Sequence, residues 1–189
     1  MIPQGVPAVE LKPTLTLGSS DFELFDLVPR MAQDPAVLDA RWKALQREAH
    51  PDKFNGQGVA AQRLAMQWSV RINEAYLRLK DALKRAAYLC ERQGVAVDAE
   101  NNTTMPMEFL TQQIQWREML EESVSLSDVN EISKMLKQEK NNMLLKCEQF
   151  IDVEKNFHAA VGQVRALMFI ERFAKDVDER IEAFESHVA

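Results

Sequence analysis

Two amphipathic helical patterns flank the stretch His50-Pro51-Asp52-Lys53-Phe54, and this arrangement constrains the fold more than any other feature of the chain. Before the stretch, apolar residues recur at helical spacings of three and four, at Leu38, Trp42, Leu45 and Ala49. After it, a second stripe of the same kind is formed by Leu64, Trp68, Ile72, Ala75 and Leu79. Apolar faces joined by a short connection pack against each other. The pattern therefore predicts an antiparallel helical hairpin with the His-Pro-Asp tripeptide at its tip.

The tripeptide has both a structural and a chemical interpretation. Pro51 ends the first helix, because it has no amide hydrogen and it disfavours helical dihedrals at His50. We expect the Asp52 carboxylate to tie the loop backbone together. His50 and Asp52 could instead form a catalytic acid-base pair. Since His158 and His187 lie in the distant C-terminal half and no Ser or Cys has the context of a nucleophile, nothing completes such a site. A plainer alternative is that the motif only ends a helix.

The composition predicts an all-α protein. Six Gly and seven Pro fall mostly in the first tenth of the chain and in a few loops, which leaves long stretches of good helix formers. No apolar run approaches the length of a membrane span, and the N-terminus lacks the pattern of a secretory signal or an Arg-rich presequence. We therefore expect a cytoplasmic protein with no membrane partner.

Charge is divided unevenly along the chain. Residues 21–93 hold twelve Lys and Arg against ten Asp and Glu, net +2, and residues 94–189 hold ten against eighteen, net −8. Neither segment is basic enough to indicate a nucleic-acid partner. Together with the helical patterns, this division predicts a flexible leader over 1–20, a first domain over 21–93, a linker over 94–105 and an antiparallel three-helix bundle over 106–189.

Several residues carry local signals for helix ends and core positions. Asp21 is expected to cap a short first helix, and Ser125 or Ser127 to cap the second bundle helix. That second helix is expected to run to about Val153, with Phe150 on its buried stripe. Asn156 is expected to cap the third helix of the bundle.

Cys90 and Cys147 are the only cysteines, and both lie in apolar helical surroundings. We interpret them as core residues, since a free cysteine in such surroundings behaves as a small hydrophobe. A metal or redox role is the alternative, but neither has a CxxC partner or a histidine at ligand spacing. We expect no metal and no cofactor.

The helix predicted from Pro106 has more apolar surface than a small bundle needs. One face carries Phe109, Trp116 and Leu120, and a neighbouring stripe carries Met107, Leu110 and Ile114. An exposed apolar stripe with a charged rim is typical of a partner site, whereas the plainer interpretation places all of these residues in the core. Phe169 is likewise one large apolar residue more than a single stripe on the third helix requires. Periodicity alone leaves the two interpretations open.

The runs RWKALQREAHPDKF, INEAYLRLKDALKRAAYL and EFLTQQIQWREMLEE resemble the HscB family, the J-type co-chaperones of iron-sulfur cluster assembly. The resemblance covers roughly residues 21–189. It implies an all-α protein in which a J-domain, a helical hairpin with short flanking helices, precedes a scaffold-binding three-helix bundle. It also implies a co-chaperone rather than an enzyme. The implied partners are an HscA-like, DnaK-type ATP-dependent chaperone and an IscU-like iron-sulfur scaffold protein.

The resemblance implies a chaperone-binding surface at the tip of the hairpin. In J-domains the tripeptide engages the ATP-bound chaperone and triggers hydrolysis, and nearby basic residues suit an acidic surface on that chaperone. The residues implied are His50, Pro51, Asp52, Lys53, Arg41, Lys43 and Arg47. Without the motif, the three basic residues of the preceding helix would be interpreted as a solvated face. Asp39 and Glu48 interrupt this patch.

The resemblance also implies a scaffold-binding surface in the C-terminal half. Its residues are Leu110, Thr111, Ile114, Gln115, Arg117, Glu118, Glu122 and Phe169. Thr111 stands where the family commonly has methionine, and Gln115 where it commonly has glutamate, so we expect a weaker site. A J-domain co-chaperone for a different client protein is the alternative function.

Overall fold

The computed structural model describes residues 14–97 and 107–186, with side chains from residue 109 onward in the second range. Within these ranges the chain is all helical and contains no strand, which confirms the predicted fold class. Most of the predicted leader and linker lies outside them. The described helices are α1 (Asp21–Leu24), α2 (Pro35–Glu48), α3 (Val59–Lys80), α4 (Ala82–Arg92), α5 (Met107–Glu122), α6 (Leu126–Glu148) and α7 (Phe157–Ser186). None of these helices is long and apolar enough to cross a membrane.

The chain divides into two compact units, Met1–Arg85 and Ala86–Ala189. The division falls inside α4, which continues to Arg92. Gly94 follows α4 with a positive φ of 76°, a conformation that glycine adopts without the strain of a Cβ atom. The limits of the J-domain and of the linker stay a prediction.

In the first unit, α2 and α3 form the predicted hairpin. Leu38 and Ile72 are fully buried, whereas Trp42 lies at the edge of the apolar stripe. The Trp42 ring stacks on Tyr76 with 4.8 Å between ring centroids, and its indole N–H donates to Asn73 Oδ1 at 2.9 Å. This edge position follows from the chemistry of tryptophan, since the large apolar ring gains from packing while its N–H needs an acceptor.

Asp21 has a different role from the one predicted. Ser20 caps α1, because its Oγ accepts from Glu23 N–H at 3.2 Å while Glu23 Oε2 accepts from Ser20 N–H at 2.8 Å. Asp21 is fully buried, and its carboxylate pairs with Arg71 at 2.6 Å and with Arg78 at 3.2 Å. Two guanidinium groups offset the cost of removing the carboxylate from water. The prediction of Asp21 as the cap was wrong, because tertiary contacts with α3 set its role.

A second acidic residue, Asp39 on α2, also contacts α3. It accepts hydrogen bonds from the Tyr76 hydroxyl at 2.7 Å and from Lys80 Nζ at 3.3 Å. These bonds, the one from Tyr76 most of all, lower the pKa of Asp39. A carboxyl whose pKa is lower in the folded state stabilises the fold above its unfolded pKa of about 3.9. That contribution is lost as the pH falls through the folded pKa.

We therefore predict that the free energy of unfolding falls less steeply with acidification in Asp39→Asn than in wild type. At neutral pH wild type should have the larger free energy of unfolding. The difference from the variant should disappear as the pH falls below about 4, because protonation of Asp39 removes the same interaction that the mutation removes. Urea denaturation of both proteins between neutral and acid pH measures the difference. The same pH dependence of the free energy of unfolding in both proteins would contradict this role for Asp39.

In the second unit, the core is formed mainly by α6 and α7. Ser125 caps α6 through a capping box with Asp128, and Asn156 Oδ1 accepts from Ala159 N–H at 3.1 Å at the start of α7. Both helix starts confirm predicted caps. Between the two helices a π-helical turn, Gln149–Val153, changes the register. Ile151 is consequently buried and Phe150 only half-buried, so the prediction for Phe150 was wrong.

Cys90 and Cys147 are both fully buried in the second unit, which confirms their interpretation as core residues. Burial raises the pKa of the Cys90 thiol to about 11 and that of the Cys147 thiol to about 12. A thiol with so high a pKa stays protonated at neutral pH, and the protonated form is not the nucleophile. These side chains therefore pack as small apolar groups.

Candidate functional site

The His-Pro-Asp tripeptide lies at the start of a single 3-10 turn, Pro51–Phe54. His50 caps this turn: its Nδ1 accepts from Asp52 N–H at 3.3 Å, and its carbonyl oxygen accepts from Lys53 N–H at 3.0 Å. The Asp52 carboxylate lies 3.6 Å from His50 Nδ1. The expectation that Asp52 ties the backbone was therefore wrong, because the imidazole of His50 performs that task.

The turn is anchored on both sides of its exposed tip. Phe54 is buried beneath it, and the Ser69 hydroxyl of α3 donates to the carbonyl oxygen of Ala49 at 3.4 Å. In contrast, the side chains of His50 and Asp52 are 56% and 79% exposed. The arrangement holds two polar side chains in a defined geometry and presents them to solvent. That geometry suits contact with another protein.

The basic residues near the turn differ in their availability. Lys43, Arg47 and Lys53 are exposed, and the first two lie one turn apart on the same face of α2. Arg41 is also exposed, but its guanidinium pairs with Asp26 at 3.1 Å. The structure thus leaves Lys43, Arg47 and Lys53 open to solvent, whereas Arg41 is partly engaged within the unit. His158 lies in the second unit, and His187 lies outside the described residues.

The α5 helix buries one face and exposes the other. Phe109 and Trp116 are buried and meet edge to face with 6.1 Å between ring centroids. Leu110 is 36% exposed and Ile114 is 59% exposed. The structure therefore decides between the two interpretations that periodicity left open: Leu110 and Ile114 form an apolar surface patch.

The other polar residues implied for the site surround this patch. At about 100° per residue, four of them fall on the side of α5 away from Phe109 and Trp116, and Arg117 lies on the flank next to Leu110. All are exposed: Thr111, Gln115, Arg117, Glu118 and Glu122. We refer to these five residues with Leu110 and Ile114 as the α5 surface. It combines two apolar anchors with a mainly polar and acidic rim.

Phe169 of α7 does not belong to the exposed part of this surface. Only 8% of it is exposed, and its ring meets Phe109 and Phe173 at centroid distances of 5.8 Å and 6.0 Å. The Arg117 guanidinium lies 5.7 Å from the Phe169 ring centroid, a cation–π contact. Phe169 therefore supports α5 from below, and Arg117 connects the buried aromatic cluster to the surface.

One residue that belongs beside the α5 surface was missed by the sequence reasoning. Met119 is exposed and lies four residues after Gln115, one helical turn further along the same side. The four-residue spacing from Gln115 to Met119 is the sequence signal that could have identified Met119 as a neighbour of this surface. Met119 is a separate exposed apolar side chain, on the far side of the rim from Leu110 and Ile114, and its flexible thioether suits an adaptable contact.

Comparisons with known proteins agree with this architecture. Residues 105–185 match the family model described as the HSCB C-terminal oligomerisation domain. The co-chaperone protein HscB homolog of Burkholderia multivorans is 43% identical over 175 residues, which cover 91% of this chain and 99% of that protein. The homolog from Paraburkholderia xenovorans is 40% identical over 174 residues, which cover 90% and 99%.

Two solved structures are also similar to this chain. The chaperone HscB from Vibrio cholerae has a TM-score of 0.73 and 29% identity, over 87% of this chain and 98% of that one. The human co-chaperone protein HscB has a TM-score of 0.80 and 22% identity, over 90% of this chain and 84% of that one. At that identity the human structure supports the fold alone.

Proposed function

Because this chain belongs to the HscB family of co-chaperones, we propose that it binds an IscU-like iron-sulfur scaffold protein and stimulates the ATPase of an HscA-like, DnaK-type chaperone. It would thereby promote iron-sulfur cluster assembly and transfer. One observation carries the proposal: the side chains of His50 and Asp52 are exposed on a turn that Phe54 anchors in the core.

We assign the chaperone contact to the Pro51–Phe54 turn and the exposed basic residues beside it. The ring of His50 fixes the turn through the Asp52 amide, so little conformational entropy is lost when a partner binds. Lys43, Arg47 and Lys53 add positive charge around the tip. Such charges speed the encounter with an acidic surface and set its orientation more than they set the final affinity.

We assign the scaffold contact to the α5 surface. Leu110 and Ile114 supply the apolar centre, and Gln115, Glu118 and Glu122 supply a polar rim that remains wet. Phe169 holds the helix in place from the core side. This arrangement follows the usual anatomy of a protein interface, in which a few apolar anchors carry most of the binding energy.

The two contacts would act together because they lie on one chain. A scaffold bound at α5 is delivered to the chaperone at a high effective concentration as soon as the turn engages it. ATP hydrolysis is then coupled to capture of the client. No chemical step on this chain is needed for that coupling.

The direct test is the ATPase turnover of an HscA-like chaperone, measured with this protein, with an IscU-like scaffold, and with both. We expect stimulation by this protein alone and a further increase when the scaffold is added. A scaffold pull-down separates this function from that of a J-domain co-chaperone for another client. Stimulation without any scaffold binding would support the second function and refute the first.

A third prediction concerns the basic residues of α2. Charge reversal at Lys43 and Arg47 together should slow association with the chaperone about tenfold, and reversal at Arg41 should add less, because Arg41 already pairs with Asp26. The wild-type association rate should also fall as salt rises. Stopped-flow or surface plasmon resonance measurements across ionic strength test both statements. Lys175→Glu on α7 is the control, and a salt-independent wild-type rate would contradict the role.

A further inference from the structure

A stripe of exposed apolar residues runs along the outer face of α3. Its members are Val59, Met66, Val70 and Leu77, and they are 74%, 61%, 54% and 60% exposed. At about 100° per residue they all lie within about 40° of one another, so they form one continuous line about 27 Å long. We refer to these four residues as the α3 stripe. It lies on the face opposite to the hairpin core, and neither contact assigned above uses it.

The spacing of the α3 stripe is symmetric about its midpoint. The intervals between its members are seven, four and seven residues, centred on Trp68. An identical helix laid antiparallel over the stripe would therefore place Val59 against the copy's Leu77 and Met66 against the copy's Val70. Val59 and Val70 are eleven residues apart, as are Met66 and Leu77, and eleven residues make about three helical turns, so the stripe runs almost parallel to the helix axis. Every apolar residue would find an apolar partner.

The charges beside the stripe show the same symmetry. Arg63 and Glu74 lie on the same side of it, at about 40° and about 60° from its centre line. Arg63 precedes the midpoint by five residues and Glu74 follows it by six. A two-fold axis between the two helices, perpendicular to both and at the level of Trp68, would bring each Arg63 beside Glu74 of the other copy, within about 1.5 Å along the helix axis. Both residues are exposed, and within the described residues neither forms an ion pair.

We infer that two copies of this chain associate through the α3 stripe, with the two α3 helices antiparallel and two Arg63–Glu74 pairs flanking the apolar contact. The inference does not depend on the proposed function. A single helix face buries less area than a stable obligate dimer requires. We therefore expect a weak dimer, with a dissociation constant of about 1 µM or higher.

Sedimentation velocity of the full chain from about 1 µM to about 1 mM tests the inference, because that range brackets weak association. Wild type should change from monomer to dimer as the concentration rises. Val70→Glu and Met66→Glu should each raise the dissociation constant about tenfold or more, since each places a charge in the apolar contact. Val28→Glu is the matched control, because Val28 is 68% exposed in the same unit but lies outside the stripe. It should dimerise like wild type.

A charge swap tests the antiparallel register without disturbing the apolar residues. Arg63→Glu or Glu74→Arg alone would place like charges together twice per dimer and should raise the dissociation constant about fivefold or more. The double variant restores opposite charges at both places, so its dissociation constant should return to near the wild-type value. Failure of the double variant to recover, with circular dichroism like wild type, would overturn the arrangement.

Two other outcomes would also overturn the inference. One is a monomeric wild type at every concentration. The other is an equal loss of association in Val28→Glu, which would mean that the dimer uses a different surface. If wild type is monomeric but Val70→Glu abolishes chaperone stimulation, the stripe contacts the chaperone and not a second copy.

Discussion

His50→Gln and Asp52→Asn should each reduce stimulation of the chaperone ATPase to the unstimulated rate, while scaffold binding remains at the wild-type level. The physical reason is exposure: 56% of the His50 side chain and 79% of the Asp52 side chain are open to solvent. Neither residue supports a core. Asp52→Asn should change the free energy of unfolding by only about 0.5 kcal/mol or less, and His50→Gln should lower it by about 1 kcal/mol, because the hydrogen bond from Asp52 N–H to the imidazole is lost. Steady-state ATPase assays and a thermal melt of each variant provide the measurements.

A matched control for Asp52→Asn is Glu48→Gln, which also neutralises an exposed carboxylate close to the turn. It should retain stimulation. Wild-type stimulation by both motif variants would remove the basis for assigning the chaperone contact to this turn. A large fall in melting temperature would mean that the side chains act through the fold, in conflict with their exposure.

The second large effect is expected at the α5 surface. Leu110→Ala with Ile114→Ala should weaken scaffold binding by about 2 to 4 kcal/mol, since apolar anchors at the centre of an interface contribute about 1 to 2 kcal/mol or more each. The free energy of unfolding should change little, because Ile114 is 59% exposed and Leu110 is 36% exposed. Isothermal titration calorimetry with the scaffold and a denaturant melt measure the two quantities on the same protein.

Phe169→Ala should behave in the opposite way. Its ring is 8% exposed and packs between Phe109 and Phe173, so truncation should cost about 3 to 5 kcal/mol of folding stability. Any loss of scaffold binding would follow from displacement of α5. Glu118→Ala is the mild control, since a rim charge alters association rate and salt dependence more than complex lifetime. A stable Phe169→Ala protein, or normal binding by the Leu110 and Ile114 double variant, would contradict this division of roles.

The sequence alone determined the parts of this protein that depend on neighbours along the chain. Pro51 could not continue the helix before it, and Ser125 and Asn156 could satisfy the free amides of the helices that follow them. The periodic stripes around the tripeptide predicted the hairpin, because a helix with one apolar face must bury it. The buried cysteines were predicted for the same reason. In each case the signal is a cap, a helix-breaking residue or an apolar spacing that can be recognised within one helix.

Tertiary structure decided the role and burial of residues for which local patterns allow two equally good interpretations. Asp21 and Ser20 are both good caps, and only the position of Arg71 and Arg78 on α3 makes Asp21 a buried ion-pair partner. Leu110 and Phe169 both appear in sequence as surplus apolar residues. One is on the surface and the other in the core, because burial depends on which helices cover a face, and periodicity describes one helix at a time. The π turn at Gln149–Val153 shifts burial from Phe150 to Ile151 for a similar reason: packing of the second unit overrides the regular helical period.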